Sequence, residues 1–121
     1  MAKKVLIAED EKAIAGALEN KLKSSGFEVS VAGNGEEALN LLKENQFELL
    51  LLDLMMPKVD GYAVLESMQK EGNKTPVIVL SNLGQEEEIQ KAKSFGAKDY
   101  FVKSNTPIAE IVEHINKVLG I

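Results

Sequence analysis

Three acids, a hydroxyl and an ammonium group stand where short apolar runs end. Glu9-Asp10 follow one run, Asp53 a second, Ser81 a third and Lys103 a fourth. If the fold gathers them, three carboxylates share a small volume and repel one another unless a cation joins them. A hard, oxygen-seeking ion resolves that repulsion, and Mg²⁺ suits a few carboxylates together with water and phosphate oxygens. A carboxylate beside a divalent metal and a lysine can act as nucleophile toward a phosphoryl group, with metal and ammonium offsetting charge on the transferring oxygens. Ser81 can then donate a hydrogen bond to the attached group.

The elements that would position these groups alternate between apolar runs and helical periods, the pattern of βαβ units on a parallel sheet. Val5–Ala8 reads as a strand buried on both faces. Ile14, Leu18 and Leu22 share a helical face that closes at Gly26, a C′ residue. Phe27–Ala32 alternates, with Glu28 and Ser30 between Phe27, Val29 and Val31, which predicts a more exposed edge strand. After the Gly33-Asn34-Gly35 turn, Ala38, Leu39 and Leu42 supply a helix face. Leu49–Leu52 is the most apolar run and should be the central strand, with Val64, Leu65 and Met68 forming the next helix face. Pro76 opens the strand Val77–Leu80, and a helix from Glu86 to Phe95 closes at Gly96. Tyr100–Val102 gives the fifth strand. Thr106-Pro107 reads as an N-cap followed by Pro at the first helical position, and Ile108, Ile111, Val112, Ile115, Val118 and Leu119 trace an apolar stripe.

Five such units predict an α/β fold: a five-stranded, doubly wound parallel sheet with helices on both faces and the flavodoxin-like order 2-1-3-4-5. In such sheets ligands bind beyond the carboxyl ends of the strands. Strands 1, 3, 4 and 5 are neighbours in this order, so Glu9, Asp10, Asp53, Ser81 and Lys103 should converge in one shallow cleft.

A length of 121 residues fits one domain, expected over 1–121. The chain has no cysteine, which removes disulfides and thiolate metal sites and fits a cytoplasmic location. Val5-Leu6-Ile7 is too short for a signal-peptide core or a membrane span. A net charge of −5 without a basic stripe argues against direct nucleic-acid binding.

Glu9-Asp10, Asp53, Ser81 and Lys103, with Pro57 and Asp60-Gly61 at their offsets from Asp53, closely resemble the receiver domain of two-component response regulators from Lys4 to Leu119. The resemblance implies that Asp53 is phosphorylated by a histidine kinase or phosphotransfer protein. It also implies that Glu9, Asp10, Asp53 and the backbone carbonyl of Met55 hold Mg²⁺. Ser81 and Tyr100 take the places of the switch hydroxyl and the aromatic that turns inward. Helix 4, strand 5 and helix 5 would form the face for a downstream protein. With no effector domain on the chain, a stand-alone signalling or phosphorelay protein is expected, monomeric or dimerising on phosphorylation, with an excised receiver or an idealised sequence as the alternatives.

Two departures stand out. Ser104 follows Lys103 where the family usually has a cis proline; a non-proline cis bond costs about 2.5–4 kcal/mol, so Lys103 is either presented through strain or by another route. Asn82, after Ser81, replaces a smaller residue and is expected to narrow access to Asp53. Met55 and Leu83, two residues past Asp53 and Ser81, stand where the family places or excludes the water that hydrolyses the acyl phosphate; neither side chain can orient water by hydrogen bonding, so the resemblance implies slow self-dephosphorylation.

Blander roles compete for each residue. Glu9-Asp10-Glu11 suits a helix N-terminus, Lys103 a solvated surface, Ser81 a turn and Tyr100 edge packing. Asp53 directly after four leucines, by contrast, is costly unless partnered. His114 is expected to be solvent-exposed, and Met55 and Met56 to be ordinary loop residues. Two rival functions use the same fold class. A flavodoxin-like FMN carrier needs a phosphate cradle after strand 1, which Glu9-Asp10-Glu11 would repel. An aspartate-nucleophile phosphatase resembling the haloacid dehalogenases wants an Asp where Met55 stands.

Overall fold

The computed structural model describes residues 3–120. In chain order the elements are β1 (Lys4–Ala8), α1 (Lys12–Ser24), β2 (Glu28–Ala32), α2 (Gly35–Glu44), β3 (Leu49–Leu52) and α3 (Gly61–Lys70). They continue with β4 (Val77–Ser81), α4 (Glu86–Ser94), β5 (Asp99–Val102), a 3₁₀ turn (Lys103–Asn105) and α5 (Ile108–Val118). The strands form one parallel sheet in the order β2-β1-β3-β4-β5, the predicted topology.

Successive side chains of a strand point to opposite faces, so an unbroken apolar run must be covered on both. Leu50 and Leu52 enter the core under α2, α3 and α4 with Leu6, Ala8, Val64, Leu65 and Val79. Leu49 and Leu51 enter the other core, under α1 and α5, with Val5, Ile7, Leu18, Leu22, Ile111 and Ile115. Burying four leucines contributes roughly 6–12 kcal/mol of gross transfer free energy, ample to fix a strand end that delivers an acid. Gly26 and Gly96 follow α1 and α4 with φ of 94° and 101°, the left-handed geometry expected of C′ glycines. No helix among the described residues is long and apolar enough to cross a membrane.

Local expectations shift in four places. Val31 belongs to the apolar alternation of β2 yet is 36% exposed, because β2 is the edge strand of the sheet. Ser81 is the last residue of β4 rather than the first after it. Pro107 is the N-cap of α5, not its first helical residue; the Thr106 hydroxyl instead donates to the Val102 carbonyl at 3.0 Å and closes the 3₁₀ turn. His114 is half-buried rather than solvent-exposed: its Nε2 lies 2.7 Å from Asp99 Oδ2, and its ring meets Phe101 edge-on at 5.1 Å. Residue type alone could not reveal that α5 lays this polar position against β5.

Candidate functional site

Backbone pairing delivers the acids. The Asp53 amide donates to the Ala8 carbonyl at 2.9 Å and the Glu9 amide to that of Ala32 at 3.0 Å, so the ends of β1, β2 and β3 are tied in register where the apolar runs stop. The loop after β3 then turns back tightly. The Gly61 amide donates to the Leu54 carbonyl at 3.0 Å, and a Cβ on Gly61 would lie 2.6 Å from both the Asp53 carbonyl oxygen and the Leu54 Cα. Only glycine allows that approach. The Asp60 side chain caps α3 by accepting from the Ala63 amide at 2.9 Å.

Glu9, Asp10 and Asp53 meet: one carboxylate oxygen from each lies within 4.8 Å of the others. Glu9 and Asp53 are almost wholly buried and Asp10 faces solvent. A site of this donor set, part buried and part open, suits an octahedral ion that keeps several waters, so these residues fit Mg²⁺. The Met55 amide donates to Asp53 Oδ1 at 3.1 Å and fixes the carboxylate's orientation, while the Met55 side chain is 58% exposed.

Lys103 completes the cluster. Its ammonium group lies between the acids, 2.7 Å from Glu9 Oε1 and 3.0 Å from Asp53 Oδ2, with a third contact to Glu11 Oε1 at 3.1 Å. All peptide bonds among the described residues are trans; the 3₁₀ turn at Lys103–Asn105 presents the lysine without a cis bond at Ser104. Burial alone would lower the Lys103 pKa, but hydrogen bonds to Glu9, Asp53 and Glu11 outweigh it and hold the group well above its ordinary value. Glu9 is pushed up to about 7, first by burial and further by the Asp53 charge, against the opposing pull of Lys103 and the Glu11 amide.

Ser81 is fully buried, but its hydroxyl serves its own loop, accepting from the Leu83 amide at 3.2 Å. Tyr100 packs inward on the α2–α3–α4 core and its hydroxyl donates to the Leu83 carbonyl. Burial, reinforced by the charges of Glu88 and Asp53 and opposed by the polar Ser81 hydroxyl, raises its pKa. Asn82 is exposed at the rim of this loop. The structure therefore brings together Glu9, Asp10, Asp53 and Lys103 directly, and sets Ser81 and Tyr100 one layer away, joined through Leu83.

Two features escaped the sequence pattern. Glu11 looked like helix-terminal decoration, yet it contacts Lys103; its place in the acidic run was the only available signal. Tyr62 donates to the Glu88 carboxylate, carries Lys91 over its ring at 4.2 Å and meets Phe95 at 6.2 Å. This fastens α4, a helix with only Ala92 buried, to α3.

A flavodoxin-like sheet with acids and a lysine gathered at its carboxyl edge defines a receiver-type protein. The chain belongs to the response regulator receiver domain family, whose model matches residues 5–116, and so to the domains of two-component signalling. It is 40% identical over 116 residues to a probable transcriptional regulator, ycf27, of Porphyra purpurea, covering 96% of this chain and 47% of that protein. It is 39% identical over 100 residues to the cell cycle response regulator CtrA of Brucella ovis, covering 83% and 43%. The chain thus spans about half the length of these curated relatives. Among solved structures it is similar to the receiver domain of the Francisella response regulator 1452, with a TM-score of 0.93 and 35% identity over 98% of this chain and 97% of that one. It is also similar to the chemotaxis protein CheY4 of Vibrio cholerae, with a TM-score of 0.88 and 27% identity over 98% and 99%. These relatives are regulators and receiver domains, which fits a regulatory, non-enzyme role and does not favour the flavin or phosphatase readings.

Proposed function

We propose that residues 1–121 form one phosphoacceptor switch in which Asp53 takes a phosphoryl group from a histidine kinase, a phosphotransfer protein or a small phosphodonor. The observation that carries this reading is the meeting of Asp53 with Glu9, Asp10 and Lys103 at the ends of separate strands. Glu9, Asp10, Asp53 and the Met55 backbone carbonyl would hold Mg²⁺, which when bound would offset charge on the transferring oxygens.

An Asp53 carboxylate oxygen forms a bond to phosphorus as the bond from phosphorus to the donor's imidazole nitrogen, or to the oxygen of acetyl phosphate, breaks. The electron pair of that bond leaves with the donor. The Met55 amide, already on Oδ1, keeps the carboxylate oriented, and Lys103 donates to the phosphoryl oxygens. Phosphorylation adds about −1.5 to −2 charge and new acceptor oxygens. Ser81 then turns toward them and gives up the Leu83 amide. Because Tyr100 is bonded to the carbonyl of the same Leu83, it senses that loss and alters the α4, β5 and α5 face for a downstream protein. The chain catalyses only its own phosphorylation and slow dephosphorylation. It acts in the cytoplasm, as a monomer or phosphorylation-dependent dimer, without touching nucleic acid or membrane itself.

Incubation with acetyl phosphate and Mg²⁺, followed by intact mass measurement, tests this. Wild type should gain one phosphate and Asp53→Asn none; phosphate on the variant, or none on wild type, overturns the proposal. Slow dephosphorylation has its own check. Exposed Met55 and partly buried Leu83 offer no group to orient water, so Met55→Asn with Leu83→Glu should shorten the phospho-form lifetime several-fold. An unchanged lifetime removes that part of the proposal.

A further inference from the structure

The ammonium of Lys103 has more partners than its proposed chemistry will leave it. Two of the three, Glu9 and Asp53, are also two of the acids whose oxygens cluster with Asp10. A divalent cation using the same oxygens draws them away from the lysine, since both ions compete for the same lone pairs. Only Glu11 Oε1, 3.1 Å from Nζ, lies outside that acidic cluster.

Glu11 is also free to serve. It stands at the N-cap of α1, yet its side chain makes no capping bond. Its own amide is satisfied by Glu9 Oε2 at 3.0 Å, which locks the Glu9-Asp10-Glu11 turn and aims the Glu11 carboxylate toward Lys103. Glu11 is about half exposed whereas the lysine side chain is only 7% exposed. The pair therefore bridges the solvent rim and the buried cluster.

We propose that Glu11 is the positioning residue for Lys103, the carboxylate that keeps the ammonium beside Asp53 when a metal draws Glu9 and Asp53 away from it. The inference rests on the phosphoacceptor reading and adds to it. Losing Glu11 makes release of Lys103 from Glu9 costlier, so metal binding weakens through the lysine rather than through the field of one more acid.

A double-mutant cycle separates these routes. Mg²⁺ affinity is measured by amide NMR at Asp53 and Met55 for wild type, Glu11→Gln, Lys103→Met and the double variant. Glu11→Gln should weaken Mg²⁺ binding about fivefold when Lys103 is present and less than twofold in the Lys103→Met background. Equal factors in the two backgrounds mean that Glu11 acts only as a nearby charge, and the inference falls. A second measurement needs no lysine variant. With Mg²⁺ saturating, exchange of the Lys103 ammonium protons with water should be several-fold faster in Glu11→Gln than in wild type, and in EDTA, where Glu9 and Asp53 still hold the group, the two should differ less; unchanged exchange at saturating Mg²⁺ overturns the inference. If wild type shows no saturable Mg²⁺ response, the phosphoacceptor reading fails and takes this inference with it. Equal factors with intact Mg²⁺ binding sink the inference alone.

Discussion

The two ends of the sheet differ in what they do with space and charge. At the amino end, a cleft of about 670 Å³ opens between the C-terminal parts of α2 and α3, lined by Leu42, Phe47, Glu71, Asn73 and Pro76 among others. Of its two lysines, Lys43 and Lys74, Lys43 lies 3.9 Å from Glu71 with both side chains half or more exposed. At the carboxyl end there is less room, but Glu9, Asp53 and Ser81 are buried there and Lys103 is ion-paired three ways. Volume alone would choose the wrong end. Burying a charge costs far more than leaving a groove open, so a chain that buries two acids and a lysine at one rim marks that rim as its site.

The sharpest way to break this contrast is to delete one ion-paired lysine at each end and compare the losses. Lys103→Met leaves Glu9 and Asp53 buried without their cation, and breaking a buried pair in this way typically costs 3–5 kcal/mol. Unfolding by urea in EDTA at pH 8, followed by circular dichroism, should show a loss of about 3 kcal/mol. Acid should relieve part of it. Glu9 has a folded-state pKa raised to about 7 from 4.5, so its stabilising contribution is full below the unfolded value and disappears as pH rises through the folded one. Lys103 is among the groups holding that value down, so its removal raises Glu9 further and the variant's deficit should be smaller at pH 6 than at pH 8. A deficit under 1 kcal/mol at pH 8, or one that grows on acidification, would mean that the cluster is not held by its charges.

Much of this arrangement was legible in the sequence, because its causes are periodic. Leu49–Leu52, buried on both faces, and the α5 stripe through Ile111, Val112 and Ile115 follow from spacing alone. Strand order then sends Glu9, Asp10, Asp53 and Lys103 to one rim. Periodicity does not say where a long side chain goes after its strand ends. Lys103 lies between Glu9 and Asp53 because a 3₁₀ turn re-aims it, and Thr106 closes that turn instead of capping α5. Neither Glu11 nor the pairing of His114 with Asp99 could be read, since each depends on the tertiary placement of a polar side chain. Ser81 stands one residue inside the strand end expected for it, and nothing in its spacing shows that its hydroxyl holds the Leu83 amide.

The smallest expected effect completes the contrast at the amino end. Lys43 sits in the last turn of α2, where a cation gains a few tenths of a kcal/mol from the helix carbonyls. Its pairing with Glu71 is long and exposed, and such pairs contribute about 0–1 kcal/mol. Alanine in its place recovers a little helix propensity. These terms nearly cancel, so Lys43→Ala should change stability by less than about 0.5 kcal/mol in the same urea experiment and leave Mg²⁺ affinity unaltered. Two lysines at opposite rims of one sheet would then differ several-fold in cost although each touches glutamate, and the difference would lie in solvent access. A loss above 1.5 kcal/mol for Lys43→Ala would show that the wide cleft also depends on its charges, and the contrast between the ends would no longer hold.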